Sequence, residues 1–236
     1  QALILENVRN LASHDNGQTL RIIIDAIEQN GYTVFPRRPS GEKIPPSWAI
    51  QDSSRVSAQR RKRLYMVCIR TDLVEALGEF SFPVLNPKVG APLTLREVIS
   101  HDNEQNHSSN IAKFKNYSIS KKLWDSHRQR DREHSIRGNG FRVGLMVDRD
   151  SKTPTLVARY YKDGKDCLIP RANDRLALNS TPRMLSPSEC AILQTFPPGF
   201  KPHPSKTPAY KQFGNSITVE VATQIAGALI EYLELT

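Results

Sequence analysis

The chain has 236 residues, a length that suits one large domain or two modest ones. Its 33 lysines and arginines outnumber its 24 aspartates and glutamates, and the formal net charge of +9 favours a polyanionic partner over a neutral small molecule. Three scattered cysteines and the lack of an apolar run of roughly 20 residues argue against a disulfide framework, a zinc site and a membrane span, and they predict a cytoplasmic protein without metal or membrane contact.

Strand and helix patterns alternate over the first 85 residues. The continuous apolar run Ala2 to Leu5 is typical of a parallel strand covered on both faces. The apolar spacing from Leu20 to Ile27 predicts a helix, which Asn30-Gly31 ends. Tyr32 to Phe35 and Leu64 to Ile69 predict further strands. Strands alternating with a helix indicate an α/β fold.

The composition changes between about Asn86 and Leu178, where polar residues are frequent and periodicity is weak, so we predict a second module there. Within it, Ser120 to Arg137 is strongly basic and is predicted to be partly helical. Thr155 to Ile169 predicts two strands joined by a turn at Lys162-Asp163-Gly164.

Helical patterns return at the C-terminal end. Ser186 suits the N-cap, and Pro187 the first turn, of a helix that runs to Leu193. Apolar residues on one face predict a last helix from about Thr218 to Leu233. The second module is therefore flanked on both sides by α/β sequence.

Five stretches, in order along the chain, share the patterns of one enzyme family. Glu6-Asn7-Val8 ends a predicted strand, and Gln59-Arg60-Arg61-Lys62-Arg63 matches Gln-x-Arg-x-Arg directly before another. The others are Arg183 to Pro197, Ala209 to Ile217, and, inside the second module, Arg137 to Phe141 with Ala158 to Gly164. The ordered set covers almost the whole chain. It resembles the DNA cytosine-5 methyltransferase family, in particular bacterial members that modify CCWGG-type sites.

The resemblance implies an α/β fold, with part of a Rossmann-like methyltransferase domain that uses S-adenosylmethionine and a smaller mixed target-recognition domain. Residues 1–85 are expected to form the C-terminal half of the catalytic domain, and residues 86–180 the target-recognition domain. Residues 181–207 are expected to be a hinge that contains the Arg-x-Leu and Phe-Pro motif. Residues 208–236 are expected to return to the catalytic domain as a terminal helix.

The resemblance assigns the cytosine chemistry to Glu6, Arg61 and Arg63. In the family a thiolate attacks C6 of cytosine, and a carboxyl group, here Glu6, is expected to donate a hydrogen bond to N3 in a desolvated pocket. Arg61 and Arg63 are expected to hold the flipped base and brace the catalytic loop, because a guanidinium fork suits a carbonyl or carboxylate group. The alternatives are a structural glutamate at the end of a strand, satisfied by a helix N-terminus or an arginine, and a solvated basic turn.

The resemblance also implies a cofactor site where the last helix begins. Asn215 and Ser216 are expected to help bind S-adenosylmethionine, the methyl donor of the family. Gly214 is expected to allow a close approach of the backbone there. The alternative is a Gly-Asn-Ser turn that caps an ordinary helix.

A target base inside a duplex is out of reach, so the family extrudes it and fills the gap from the recognition module. Basic side chains are expected to attract phosphates: Lys121, Lys122, Arg128, Arg130 and Arg132. Trp124 is predicted to belong to the core. Contacts to double-stranded DNA near the bases are expected from seven residues: Gln59, Arg137, Asn139, Arg142, Thr155, Arg159 and Tyr160. Each has the alternative of being an ordinary surface residue.

The family's nucleophile lies in a Pro-Cys dipeptide upstream of the glutamate, and its glycine-rich cofactor loop lies earlier still. Neither precedes Glu6, and none of Cys68, Cys167 and Cys190 follows a proline, so all three are predicted to be inert. The chain also begins inside an apolar run. We therefore expect the catalytic segment to be cut off, absent, or supplied by a second polypeptide, and this portion alone to be inactive.

Three functions remain open. The favoured one is a sequence-specific DNA cytosine-5 methyltransferase of a bacterial restriction-modification or solitary type, acting on double-stranded DNA at the nucleoid. The second is a non-catalytic, sequence-specific DNA-binding relative of such an enzyme. The third is a transfer-RNA methyltransferase with the same motifs, which the long recognition module disfavours.

Overall fold

The computed structural model describes residues 1–37, 49–99, 117–140, 142–171 and 176–234. The chain divides into two compact units. The first, here called the sheet unit, consists of Gln1–Ser53, Arg61–Asn86 and Val221–Thr236, and the second, here called the mixed unit, consists of Ser54–Arg60 and Pro87–Glu220. The step between residues 86 and 87 lies beside the predicted boundary between 85 and 86, whereas residues 181–220 pack within the mixed unit. The division into four functional segments stays a prediction.

The described part of the sheet unit has four strands: β1 (Ala2–Val8), β2 (Tyr32–Phe35), β3 (Ile50–Asp52) and β4 (Lys62–Arg70). The strand order is β1-β4-β2, and β3 also pairs with β4. All three neighbours run antiparallel to β4. The strands predicted at residues 2–5, 32–35 and 64–69 are therefore confirmed.

The prediction of β1 as a parallel strand covered on both faces is wrong for the described residues. β1 pairs with β4 in antiparallel register, from Ala2 opposite Ile69 to Val8 opposite Arg63. Leu3 of β1 is 45% exposed, whereas the apolar run of β4 is buried. An apolar run does not report the direction of the neighbouring strand, because parallel and antiparallel ladders accept the same apolar residues.

The sheet unit also contains the α-helices α1 (Gln18–Gln29), α2 (Thr71–Leu77) and α7 (Val219–Leu233), of which α7 belongs to it from its third residue onward. Short 3-10 helices span Arg9–Ala12 and His14–Gly17, and a third begins at Ser53. The apolar face of α1 packs on the sheet through Leu20 and Ile24, as the spacing predicts. The predicted last helix is likewise confirmed, and Tyr232 of α7 donates its hydroxyl proton to the carbonyl of Gly78 at 2.6 Å.

The named elements of the mixed unit are four helices and a two-stranded sheet: α3 (Lys121–Ile136), α4 (Tyr160–Asp163), α5 (Pro187–Leu193), α6 (Lys206–Asn215), and β5 (Leu168–Ile169) paired with β6 (Arg183–Met184). Residues 95–99 are also helical. The basic segment predicted as partly helical is helical throughout α3, and the Ser120 hydroxyl caps it by accepting from the amide of Leu123 at 3.2 Å. Trp124 is buried, as predicted. None of the helices in the described ranges is both long and apolar enough to cross a bilayer.

The prediction of two strands joined by a turn within residues 155–169 is wrong. Residues Tyr160–Asp163 form α4, and Gly164 ends it with a left-handed φ of 62°. The strand that follows, β5, pairs with β6 rather than with residues before α4. The buried Tyr160 hydroxyl favours the helical turn, because it donates to the carbonyl of Cys167 and accepts from the amide of Leu185.

The start of α5 is the capping box that its sequence predicts. The Ser186 hydroxyl accepts from the amide of Glu189 at 3.1 Å, and the Glu189 carboxylate accepts from the amide of Ser186 at 2.6 Å. Arg183 donates to both carboxylate oxygens of Glu189 at 2.7 Å, and Glu189 is 0% exposed. The first half of the Arg183 to Pro197 motif therefore fixes the start of α5 against β6.

Candidate active site

The register of β1 on β4 brings together Glu6 and Arg63, two residues that the sequence assigns to cytosine chemistry. Glu6 lies opposite Tyr65, and Val8 lies opposite Arg63, so Glu6 and Arg63 are diagonal neighbours on one face of the sheet. The Nε atom of Arg63 lies 3.1 Å from Oε1 of Glu6. The side chains of Arg63 and Glu6 are 14% and 27% exposed, so the pair is partly accessible from outside.

Arg61, directly before β4, is buried with 2% of its surface exposed. Its backbone is fixed by Ser53, whose hydroxyl accepts from the Arg61 amide at 3.0 Å and whose own amide donates to the Arg61 carbonyl at 3.1 Å. Arg61 and Arg63 are two residues apart along the strand direction, which places alternate side chains on the same face. The three predicted residues Glu6, Arg61 and Arg63 thus form one cluster in the sheet unit.

Burial lowers the pKa values of the two guanidinium groups, and the negative charge of Glu6 raises them. Burial and, as a smaller effect, the charge of Arg63 lower the pKa of Arg61 to about 10, and the charge of Glu6 opposes both effects. Burial also lowers the pKa of Arg63, and Glu6 again opposes the shift. Arg61 is charged at pH 7, because a pKa of about 10 still lies well above that pH. The cluster therefore presents positive charge beside a single carboxylate.

Tyr65 is a member of this cluster that the sequence analysis missed. It lies opposite Glu6 in the β1–β4 register and is 2% exposed. Burial raises the pKa of its phenol, Glu6 adds to the rise, and Arg61 and Arg63 oppose it. The signal was available in the alternation of Arg61, Arg63 and Tyr65, which places three side chains on one face.

The predicted cofactor turn lies in the mixed unit at the end of α6. Asn215 is the last residue of α6 and is exposed, and Ser216 follows it half-buried. Gly214 is buried against another segment of the protein: a Cβ atom there would lie 2.3 Å from the amide nitrogen of Ala158. The need for glycine at 214 thus comes from packing against residues 157 and 158.

A cavity of about 340 Å³ opens beside this turn. Phe196, Phe200 and Phe213 pack edge to face or tilted around it, with ring centroids 4.4 to 6.2 Å apart. Ser216 lines the cavity together with Gln212 and the two cationic or titratable side chains of Lys201 and His203. The cavity combines aromatic faces with hydroxyl and amide groups.

The seven predicted DNA contacts differ in exposure. Four are exposed, namely Arg137, Asn139, Arg142 and Arg159. The side-chain amide of Asn139 is hydrogen bonded to the ring of His134 at 3.2 Å. Thr155 is half-buried, and its hydroxyl donates to the carbonyl of Arg60 at 2.6 Å.

Two of the seven are core residues, which counts against them as DNA contacts. Tyr160 is 1% exposed, and its hydroxyl bonds two backbone groups of the mixed unit. Gln59 is 0% exposed, and its backbone forms a bridge with Thr153. Their basic or turn-rich sequence context predicts that these side chains lie at the surface, but both are buried in the interior. Phe141, at the end of the predicted glycine-rich loop, lies outside the described residues.

Five cationic side chains on α3 extend the exposed basic surface. Lys121, Lys122, Arg130 and Arg132 are exposed, and Arg128 is half-buried. Lys121 is paired with Asp125 at 2.6 Å, one turn further along the helix. The exposed face of α3 and the residues from Arg137 to Arg142 that follow it are rich in positive charge.

Comparison with known proteins identifies the family of the chain. A sequence profile described as C-5 cytosine-specific DNA methylase matches residues 1–231. The type II methyltransferase M.DsaV of Dactylococcopsis salina is 35% identical over 239 residues, which span 100% of this chain and 58% of that protein. M1.ScrFI of Lactococcus lactis subsp. cremoris is 34% identical over 239 residues, which span 99% of this chain and 52% of that protein. The chain therefore belongs to the C-5 cytosine-specific DNA methylase family.

The fold agrees with that membership. The crystal structure of the S. pombe Dnmt2 methyltransferase superposes with a TM-score of 0.61 at 16% sequence identity, covering 98% of this chain and 67% of that one. This similarity concerns the fold alone. The chain spans about half the length of the curated relatives it matches.

Proposed function

We propose that the chain is part of a sequence-specific DNA cytosine-5 methyltransferase, which transfers a methyl group from S-adenosylmethionine to C5 of a flipped cytosine in duplex DNA. The observation that carries the proposal is the cluster of Glu6, Arg61 and Arg63 on one sheet face, in a chain whose family acts on cytosine in DNA. A partly accessible carboxyl group beside two guanidinium groups suits a cytosine ring, which offers a ring nitrogen, an amine and a carbonyl.

The cluster divides the work on the base. Glu6 is the hydrogen-bond partner of N3 of the ring while a thiolate adds to C6. Arg63 orients Glu6 through their ion pair, and the buried Arg61 braces the cluster from the interior and adds positive charge beside it. A glutamate with a purely structural role also fits an ion pair with arginine, so the variants of Glu6 discussed below decide between the two roles.

The groups at the end of α6 fit part of S-adenosylmethionine, which supplies the methyl group when bound. An adenosyl group carries an aromatic face and an amino group, and the cavity beside Ser216 offers three phenylalanine rings together with hydroxyl and amide groups. Asn215 and Ser216 contribute the polar contacts. Gly214 keeps the turn against Ala158, so it acts on the site through the backbone.

Duplex DNA is the polyanionic partner. The exposed cations of α3 attract phosphates, and Arg137, Asn139, Arg142 and Arg159 reach the grooves, because exposed side chains in turns enter a groove most easily. The resemblance to enzymes of CCWGG-type sites suggests a target of that kind. Such an enzyme works in the bacterial cytoplasm, at the nucleoid, in a restriction-modification system or as a solitary methylase.

The nucleophilic cysteine comes from a segment upstream of Glu6, on the same polypeptide or on a second one. All three cysteines of this chain are buried. Burial raises the pKa of the Cys68 thiol to about 11, and burial likewise raises the pKa of Cys167, so neither forms a thiolate readily at pH 7. We therefore propose that this portion binds DNA and cofactor but transfers no methyl group by itself.

The test combines the intact mass of the purified protein under denaturing conditions with transfer of labelled methyl groups to duplex DNA. The proposal expects a longer chain, or a second chain, and label on C5 of cytosine. A chain of this length that binds one duplex site and transfers nothing, even with the upstream segment added, would establish the DNA-binding alternative. Methylation of transfer RNA in preference to duplex DNA would establish the third function, that of a transfer-RNA methyltransferase.

A further inference from the structure

Residues 57–60 form a loop of the mixed unit that leads directly into Arg61, and the unit holds this loop by its backbone. The amide of Thr153 donates to the carbonyl of Ala58 at 2.7 Å, and the amide of Arg60 donates to the carbonyl of Thr153 at 2.9 Å. All of the loop except Arg60 is buried. Two main-chain bonds therefore fix the loop to a segment that is distant in sequence.

Lys152 anchors the same loop with its side chain. Its Nζ atom donates to the carbonyl of Ser57 at 2.9 Å and to the carbonyl of Leu93 at 3.0 Å. An ammonium group has three N–H donors, and a charged donor makes a stronger hydrogen bond than a neutral one. Shortly after Leu93, the side chains of Leu95 and Val98 are buried in the core of the mixed unit. Lys152 thus connects the loop to a closely packed part of that unit.

The position of the loop bears directly on Arg61. Arg60 and Arg61 share a planar peptide group, which fixes the distance between consecutive Cα atoms at about 3.8 Å. A displacement of the Arg60 backbone therefore also displaces Arg61. Groups that act on a substrate must be placed to within about 0.5 Å, and a misplacement of about 1 Å can lower a rate by about 100-fold.

We infer that Lys152 is a positioning residue for the cytosine cluster, and that it acts through Arg61. Lys152 holds Ser57, the loop holds Arg60, and Arg61 extends from the backbone fixed in this way. The inference rests on the proposed function, which makes Arg61 part of that cluster. It also separates Lys152 from the lysines that attract phosphate, because the Nζ atom of Lys152 is directed at two backbone carbonyls.

The test uses Lys152→Met in the complete methyltransferase, because methionine keeps an aliphatic stem and removes the ammonium group. We expect kcat for methyl transfer to fall about tenfold, while KM for duplex DNA and the Kd for S-adenosylmethionine stay within about twofold. The salt dependence of duplex binding should stay unchanged, whereas loss of a phosphate contact lowers its slope by about 1. Amide hydrogen exchange around Arg60 and Thr153 should quicken, because their N–H groups form the backbone bonds of the loop.

Two further variants show whether Lys152 acts through Arg61. Lys152→Arg should restore most of kcat, because a guanidinium group can also donate to two carbonyls. Arg61→Lys should lower kcat by itself, and adding Lys152→Met to it should lower kcat by less than about twofold more, because both changes disturb the same guanidinium group. A lysine with a general structural role would give independent effects.

Arg149→Met is the matched control. Arg149 is a half-buried cation of the same unit, and its guanidinium group donates to the carbonyl of Pro170 at 2.8 Å, outside the loop. Its loss should lower the free energy of unfolding about as much as Lys152→Met does and leave kcat unchanged. Lys152→Gln, which keeps an N–H donor on a shorter and neutral side chain, is measured in the same way in case Lys152→Met does not fold.

An unchanged kcat in Lys152→Met would overturn the inference, and so would a fall in kcat that Arg149→Met reproduces. A weaker duplex affinity with a lower salt slope would show that Lys152 contacts phosphate instead. Failure of both Lys152→Met and Lys152→Gln to fold would make Lys152 a general structural residue. Failure of the proposed function is seen separately, as the absence of methyl transfer by the wild-type enzyme, and hydrogen exchange then still shows whether Lys152 holds the loop.

Discussion

At the scale of single residues, the ion pair of Glu6 with Arg63 is compatible with a catalytic role of Glu6 and with a purely structural one. Its ion pair with Arg63 is 3.1 Å long and is only partly shielded from solvent. Glutamine at this position keeps an oxygen that can accept from Arg63, so the expected loss of stability on Glu6→Gln is small although the pair is half-buried. A large loss of methyl transfer on removing the charge of Glu6, with little loss of stability, therefore identifies a functional group.

We predict that Glu6→Gln in the complete enzyme lowers methyl transfer by about 100-fold or more, because glutamine cannot take up and pass on the proton at N3. Thermal unfolding should change little. The matched control is Glu79→Gln, which breaks an exposed ion pair with Arg37 at 2.9 Å in the same unit. Equal activities of Glu6→Gln and Glu79→Gln, measured with labelled S-adenosylmethionine on duplex DNA, would contradict the catalytic role.

The buried cysteines allow a prediction about pH and reactivity. Burial raises the pKa of Cys68 to about 11, so below that pH the folded protein holds the neutral thiol, which is a poor nucleophile. We expect the thiols of this chain to react slowly with a disulfide reagent at pH 8 and rapidly after unfolding in urea. Rapid reaction of Cys68 in the folded protein, located by mass spectrometry of its peptide, would refute the buried neutral thiol.

At the scale of elements, the approach of α6 to the segment before α4 depends on Gly214. A Cβ atom at Gly214 would lie 2.3 Å from the amide nitrogen of Ala158, a distance that no relaxation of a side chain can relieve. A Cβ atom added at Gly227, in the middle of α7, would have no other atom within 4 Å. Two glycines in helices of this chain therefore differ in the reason for their presence.

We predict that Gly214→Ala lowers the free energy of unfolding by about 1 to 3 kcal/mol, as overpacking does, and weakens cofactor binding by displacing the turn. Gly227→Ala should raise the free energy of unfolding by about 0.5 to 1 kcal/mol, because alanine loses less backbone freedom in a helix. Urea unfolding of both variants gives the comparison. A stable Gly214→Ala protein would show that α6 does not need this close approach.

The capping box of α5 gives a second comparison between similar residues. Ser186→Ala removes the acceptor for the amide of Glu189 and should lower the free energy of unfolding by about 1 kcal/mol. Ser188→Ala, two residues further along the same turn, should change it by less than about 0.5 kcal/mol, because Ser188 is inside the helix and not at its cap. If the two serines respond equally in urea unfolding, the cap contributes nothing.

At the scale of the whole molecule, the formal charge of +9 is the property that bears most directly on the partner. Exposed cations are frequent on α3, and Arg137 and Arg142 follow it, but other exposed lysines and arginines lie in both units, among them Arg21, Arg70 and Lys211. When binding depends on phosphate contacts, the logarithm of the binding constant falls linearly with the logarithm of the salt concentration. The slope of that line is therefore proportional to the number of phosphate contacts. Single substitutions show which side chains make them.

We predict that Arg142→Ala and Arg159→Ala each weaken duplex binding and lower the salt slope by about 1. Asn139→Ala should instead relax the preference for the target site, because an amide reads base edges. Arg21→Ala, an exposed arginine on α1 of the sheet unit, is the control and should change neither quantity. Fluorescence anisotropy over a salt series measures both, and unchanged slopes for Arg142 and Arg159 would remove them from the DNA surface.

The sequence by itself determined the family, the central strands and the capped helices, because each of these is encoded over a few neighbouring residues. The Glu6 and Arg63 motifs were recognised in this way, and so was the box that begins at Ser186. Only the tertiary structure decided that β1 pairs antiparallel with β4, and that this register adds Tyr65 to the cluster. It also decided that Tyr160 is a core residue, since burial and pairing depend on residues that are distant in sequence.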